Sequence, residues 1–170
     1  MIDWTIVREM LPAFWHGLQM TLLLLVTSAV AGLLLSVPLS AARSARSPWA
    51  RWPVFGFTFV IRGTPLLVQL FLWYFLVPDL LPEPLEMWFK QDLSPATSAF
   101  ISVVVCLGLF TAARVCEQVR TGIQALPKGQ LAAGYALGFR LPQIYRDVLL
   151  PQAYRIIIPP LTSEFLNVFK

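Results

Sequence analysis

Apolar residues along this chain are gathered in long blocks instead of being spread at the spacing of a soluble core. Three blocks, residues 17–41, 53–77 and 95–114, are about long enough, as helices, to cross a hydrocarbon core of roughly 30 Å. A fourth stretch begins near Ile156 and ends at Lys170, which is too short to cross. The pattern predicts an all-α membrane protein with three full helices plus the start of a fourth. We expect residues 1–170 to form a single transmembrane domain that is incomplete at its C-terminus.

The charges between these blocks alternate in sign. The first connection carries Arg43, Arg46 and Arg51 and no acid, whereas the second carries four acids against Lys90 alone. Over residues 114–155, basic residues again outnumber acidic ones. Because basic connections tend to stay on the cytoplasmic side of a membrane, we expect the first and third connections to be cytoplasmic and the N-terminus to be periplasmic.

Composition agrees with a membrane component that carries out no reaction of its own. Hydrophobic residues make up 57% of the chain and charged residues only 13%, too little polar surface for a soluble domain of 170 residues. Cys106 and Cys116 fall about 15 Å apart on one helix, so we expect buried thiols and no disulfide. The sequence shows no metal-ligand spacing and no nucleophile with its base, so we predict no metal and no cofactor, and a membrane enzyme is the weakest hypothesis.

Residues 126–151, in the third connection, are too polar to span a membrane and too patterned for a linker. Good helix formers fill residues 128–137, Gly138 suits the left-handed turn that ends a helix, and Pro142 suits the first turn of a second helix. We expect Pro151 to halt that second helix, which carries an apolar stripe opposite a polar one. The apolar stripe consists of Leu141, Ile144, Tyr145, Val148 and Leu149, and the polar stripe of Gln143, Arg146 and Asp147. The segment is either an amphipathic loop on lipid headgroups or a docking element for a soluble partner.

The second apolar block contains a cation and two helix breakers. Arg62 lies roughly 14 Å into the block, where a guanidinium is costly unless it faces protein or water. Gly63 and Pro65 interrupt the helix directly after it, and interrupted helices commonly form transporter sites. The candidate translocation path, suited to an anionic substrate, consists of Arg62, Gly63, Thr64 and Pro65. The alternative is that residues 53–61 form an interfacial elbow, from which Arg62 reaches the cytoplasmic headgroups.

Three charged residues lie at or just after the end of the third apolar block. Glu117 and Arg120 lie at positions i and i+3 of the predicted helix and are a candidate brace for the loop, although a solvated helix face explains them about as well. Arg114 is interpreted as an anchor at the inner membrane interface and not as a ligand.

The loop resembles a known motif. PKGQLAAGYALG at 127–138, followed by VLLP at 148–151, resembles the EAA loop of ABC importer permeases, in which Glu-Ala-Ala is followed by Gly and later by Leu-Pro. Ala133, Gly138 and the final Leu-Pro match the motif, whereas Ala132 and Gly134 depart from it at its first and third positions. The coupling residues that the resemblance implies are Ala132, Ala133, Gly134, Gly138, Leu149 and Pro151.

Further segments are similar to the polar amino-acid branch of these permeases. They are RGTPLLVQ at 62–69 and the residues from Glu117 to Pro127, while the runs at 106–120 and 159–166 look most like glutamate/aspartate permeases. The resemblance covers the chain from about Gly17 to its end and implies the transmembrane domain of a type I ABC importer.

The implied machine is a permease subunit of an ATP-driven amino-acid importer in the bacterial inner membrane. Its implied partners are a dimer of cytoplasmic ATP-binding subunits, a second permease that is identical or homologous, a periplasmic substrate-binding protein and the lipid bilayer, with no nucleic acid. The chain lacks GxxxxGK[ST], so we expect ATP hydrolysis to occur on the partner subunit. The rival hypothesis is an ion-coupled secondary carrier or channel, which would be expected to hold more acids within its spans and no docking loop.

Overall fold

The structure, a computed structural model, describes residues 4–45, 47–127 and 129–168, with side chains from residue 8 to residue 163. Arg46 and Lys128, used in the charge and loop predictions, lie outside the described residues. The helices are α1 (Trp4–Arg43), α2 (Pro48–Gly63), α3 (Leu66–Asp79), α4 (Glu83–Met87), α5 (Pro95–Gln124), α6 (Gly129–Ala136), α7 (Leu141–Gln143) and α8 (Leu150–Val168). Wide π-helical turns lie within α3 at Leu72–Leu76, after α4 at Trp88–Asp92 and between α7 and α8 at Ile144–Leu149. The described residues contain no strand, as the all-α prediction required.

The centre of the fold is the pairing of α1 with α5, which pack through small residues. A Cβ added to Gly32 of α1 would lie 2.6 Å from the Cβ of Thr111 and 2.9 Å from the carbonyl oxygen of Gly108, both on α5. Such close approach suits helices in lipid, where association depends on van der Waals contact between small residues. The thiols of Cys106 and Cys116 are free and fully buried on α5, as predicted.

The predicted span at 53–77 is not one straight helix. α2 and α3 meet at 107°. Among the described residues, two other helices are long and apolar enough to cross a membrane, and this bent pair makes a third span if it is counted as one. Thr64 takes an extended conformation (φ −105°, ψ 138°), as expected for a residue before proline. The buried Gln69 spans the break, because its Nε2 donates to the carbonyl oxygens of Ile61 (2.7 Å) and Thr64 (3.0 Å). The interruption expected after Arg62 is confirmed, and the broken span is a sharply bent pair of helices.

The segment at 126–151 folds as two helices joined at a glycine. Gly138 has φ +79°, and the N–H of Phe139 donates to the carbonyl oxygen of Gly134 at 3.0 Å, the bond that closes a Schellman turn. α7 then begins at Leu141 with Pro142 in its first turn. These features match the sequence prediction.

Pro151 does not halt the second helix, contrary to our expectation. The helix continues through the π-helical turn Ile144–Leu149 into α8, which begins at Leu150 and not near Ile156. Proline lacks an N–H and its ring clashes with the carbonyl four residues earlier, and a widened turn just before it relieves both demands. From Leu141 onward, the second part of the predicted loop and the apolar stretch after it therefore form one continuous helical unit.

Candidate functional site

The apolar stripe of the loop packs against the protein, and two of its five residues are buried. Ile144 and Leu149 pack in one cluster with Leu126, Ala153 and Ile157, while the polar stripe residues are exposed. The loop is therefore anchored on the end of α5 and on α8 through its own stripe. That packing leaves Ile144 and Leu149 unavailable to lipid headgroups, whereas Leu141, Tyr145 and Val148 are only half-buried. The stripe is therefore first an anchor to the rest of the protein, which favours the docking interpretation.

Gly134 permits the two loop helices to touch. A Cβ added there would lie 2.8 Å from Cγ1 and 2.9 Å from Cδ1 of Ile144, which is fully buried. The sequence prediction placed Gly134 among the coupling residues, as a departure from the motif, but did not predict its contact with Ile144. The missing signal is tertiary, because nothing in the local pattern shows which bulky residue faces this position.

The other predicted coupling residues differ in exposure. Ala132, Ala133, Gly138 and Pro151 are exposed, whereas Leu149 is buried in the cluster below the loop. The exposed surface around the first three is apolar and includes Leu131, Tyr135, Leu137 and Phe139, with Leu137 74% exposed. An apolar surface of this kind on a folded loop is typical of a protein contact.

Glu117 contacts polar side chains from three helices. Its Oε2 lies 3.2 Å from Nη1 of Arg120, the predicted neighbour, and its Oε1 lies 2.9 Å from Nε of Arg43 at the end of α1. The hydroxyl of Thr58 on α2 also donates to Oε1 at 3.3 Å. One carboxylate thus ties α1, α2 and α5 together, and sequence reasoning missed Arg43 and Thr58 because they lie far away along the chain.

Arg62 lines a cavity with residues of α5 and α8. The cavity has a volume of about 390 Å³ and is also lined by Arg114, Glu117 and Gln118. The Oε1 atom of Gln118 is buried and has no hydrogen-bond donor among the described residues. Arg114 lies over the ring of Phe110, 4.6 Å from its centroid.

The remaining predicted path residues do not reach this cavity. Gly63 and Pro65 are exposed at the bend, and the hydroxyl of Thr64 donates to the carbonyl oxygen of Val60 at 3.0 Å. They shape the break that ends α2 one residue after Arg62. Sequence reasoning missed Gln69, which bridges that break, and Gln118.

The second connection is closed by a small ionic cluster. Lys90 Nζ bonds to the carboxylates of Asp79 and Glu86, the latter at 2.8 Å. These hydrogen bonds, the one to Asp79 above all, raise the pKa of Lys90 above its ordinary value. The cluster joins the end of α3 to the turn that follows α4.

Comparison with known proteins decides the family. A family model described as "Binding-protein-dependent transport system inner membrane component" matches residues 32–170. The chain belongs to this family. Its fold is accordingly the all-α transmembrane domain of a type I ABC importer.

Similar family members have been described as amino-acid permeases. The chain is 46% identical to the glutamate/aspartate import permease protein GltJ of Escherichia coli K12 over 92% of its own length and 63% of that protein. It is 35% identical to the arginine transport system permease protein ArtQ of Bacillus subtilis over 99% of its length and 72% of that protein. A crystal structure of an amino acid ABC transporter with histidines superposes with a TM-score of 0.77 and 31% identity, covering 97% of this chain and 71% of the other.

The chain is shorter than these family members. It spans 63% of the length of GltJ. The resemblance to glutamate/aspartate permeases stated from the sequence is confirmed by these similarities.

Proposed function

We propose that the chain is the permease subunit of an ATP-driven importer of polar amino acids, with glutamate and aspartate as its substrates. It would lie in the bacterial inner membrane with its N-terminus periplasmic. It would receive the amino acid from a periplasmic binding protein and share the path with a second permease. ATP hydrolysis would occur on a dimer of cytoplasmic subunits bound to the loop at 126–151, since the chain has no nucleotide-binding motif of its own.

The observation that carries the proposal is the loop, which packs on α5 and α8 on one side and exposes an apolar surface on the other. Its buried stripe packs on α5 and α8, while Leu137 and Tyr135 are 74% and 47% exposed. A rigid loop can transmit displacement from a moving partner to the helices on which it rests. A secondary carrier or channel has no evident use for such a surface.

The charge of the inner cavity supports the substrate class. Arg62 and Arg114 both line it, Glu117 is the acid among its described lining residues, and Glu117 is already paired with Arg43. A guanidinium can bind a carboxylate with two parallel hydrogen bonds. The guanidinium of Arg62 therefore suits a substrate with a carboxylate side chain, and the similarity to GltJ points to the same class.

Copurification of the full-length permease with its ATP-binding subunit tests the proposal. Wild type is expected to retain the ATPase, and Gly138→Arg to lose it, because Gly138 has φ +79°, a conformation that costs other residues about 1–2 kcal/mol. Gly138→Asn is the matched control, since asparagine tolerates the left-handed conformation, and it should retain most of the ATPase. Equal retention by Gly138→Arg would show that the turn does not form the dock. Failure of wild type to bind any ATPase would favour the carrier hypothesis.

A further inference from the structure

A second cavity lies where the first and third connections meet. Its volume is about 400 Å³, within the range of small-molecule sites, and its walls come from the end of α1, from α2, from the end of α5 and from the loop. The residues that matter for its chemistry are Arg43, Arg51, Arg120, Trp52 and Tyr145. Nothing in the proposed transport cycle uses this cavity, and it is separate from the one that contains Arg62.

The cavity is strongly basic. Three arginines line it, and none of its lining residues within the described part of the chain is acidic. Glu117, behind the wall, pairs with Nε of Arg43 and with Nη1 of Arg120, which balances only part of this charge and leaves further N–H groups on both guanidiniums. Arg51 is exposed and forms no ion pair with any described residue. The cavity therefore presents several charge-assisted donors to an anion.

An apolar surface continues from the rim of the cavity. Trp52, which lines the cavity, also lines an adjoining depression with Pro48, Trp49 and Pro53. Trp49 is 88% exposed and Trp52 is 62% exposed. Exposed tryptophans beside arginines at the end of a membrane helix are typical of the headgroup level of a bilayer. A ligand that fits both surfaces has a phosphate at one end and hydrocarbon at the other.

We propose that this cavity binds the phosphate of an anionic phospholipid headgroup, with the acyl chains along Trp49 and Trp52. Basic pockets between membrane helices are suited to such headgroups, because one phosphate can accept from several arginines at once. A free phosphate ion would satisfy the arginines but would leave the tryptophan surface uncovered. The lipid would lie against Tyr145 of the loop and beside the Arg43–Glu117–Arg120 group.

The test uses native mass spectrometry to measure the lipid that the full-length permease retains. The permease is purified in mild detergent from vesicles of mixed phosphatidylglycerol and phosphatidylcholine. Wild type is expected to retain phosphatidylglycerol in preference to phosphatidylcholine. Arg51→Gln should retain about five-fold less phosphatidylglycerol, the effect of one basic residue near an anionic headgroup. Arg155→Gln, which removes another exposed arginine that does not line the cavity, should retain as much as wild type.

Two further arms keep the result decisive. Ala45→Glu places a carboxylate in the wall without removing any donor, and it should lower retention as Arg51→Gln does, with an unchanged elution profile. Millimolar inorganic phosphate should not displace the lipid. The proposal would be overturned if Arg51→Gln retained as much phosphatidylglycerol as wild type, or if Arg155→Gln lost as much phosphatidylglycerol as Arg51→Gln. It would also be overturned if wild type showed no preference for phosphatidylglycerol over phosphatidylcholine. Displacement by phosphate would identify a free-anion site and overturn the lipid assignment.

Discussion

Replacing Glu117 with glutamine should destabilise the fold more than any other single charge removal we can identify among the described residues. The side chains of Arg43 and Glu117 are only 7% and 11% exposed, and their atoms lie 2.9 Å apart. Glutamine keeps the shape but removes the charge, so the guanidinium of Arg43 would remain buried beside a neutral group. Breaking a buried ion pair in this way costs about 3–5 kcal/mol. Because Glu117 also borders the cavity with Arg62, where water can enter, we expect about 3 kcal/mol, the lower end.

Thermal unfolding of the purified permease measures this loss. For a chain of this size, 3 kcal/mol corresponds to a fall in Tm of about 6–12 °C. Glu86→Gln is the matched control, because it removes a carboxylate at 2.8 Å from Lys90 in an exposed cluster, where ion pairs contribute little. Arg43→Gln combined with Glu117→Gln should recover part of the loss, since no charge is then left buried without a partner. The reasoning is refuted if Glu117→Gln lowers the Tm no more than Glu86→Gln.

Two further predictions concern the loop and the inner cavity. Gly134→Ala should open the loop, with amide exchange over residues 129–136 about five-fold faster, because overpacking against Ile144 outweighs the better helix propensity of alanine. Gly129→Ala is the matched control and should not speed exchange, because a Cβ there meets nothing. Arg62→Gln should raise the KM for glutamate uptake by at least about ten-fold, the effect of losing a charge-assisted hydrogen bond, whereas an unchanged KM would favour the interfacial-elbow interpretation.

The loop was predictable from sequence because local rules govern it. Gly138 takes the left-handed conformation and Pro142 stands in the first turn of a helix, and both effects depend on neighbouring backbone atoms alone. The buried stripe followed from helical periodicity in the same way. Pro151 was misjudged because the rule that proline ends helices ignores the option of a π-helical turn, which the structure uses at Ile144–Leu149.

The break in the second span was predictable, but its geometry was not. Gly63 and Pro65 mark the position of the interruption, whereas the 107° angle depends on where α3 can pack after it. Gln69 fixes that arrangement by bonding to two carbonyl oxygens across the break. A polar residue within an apolar block was the available signal, because such a residue must find a partner in the membrane.

The ion pair between Arg43 and Glu117 lay beyond sequence reasoning, and it changes how the loop relates to the rest of the domain. Helical spacing showed only the pairing with Arg120, which by itself would brace one turn of one helix. With Arg43 and Thr58 included, the carboxylate joins α1 and α2 to the end of α5, on which the loop is packed. A push on the loop would then reach α2, and with it the bend after Arg62, through one charged group. This chain of contacts makes the double mutant informative beyond stability. If the ionic link carries the coupling, Arg43→Gln/Glu117→Gln should still transport poorly even though it recovers part of the Tm.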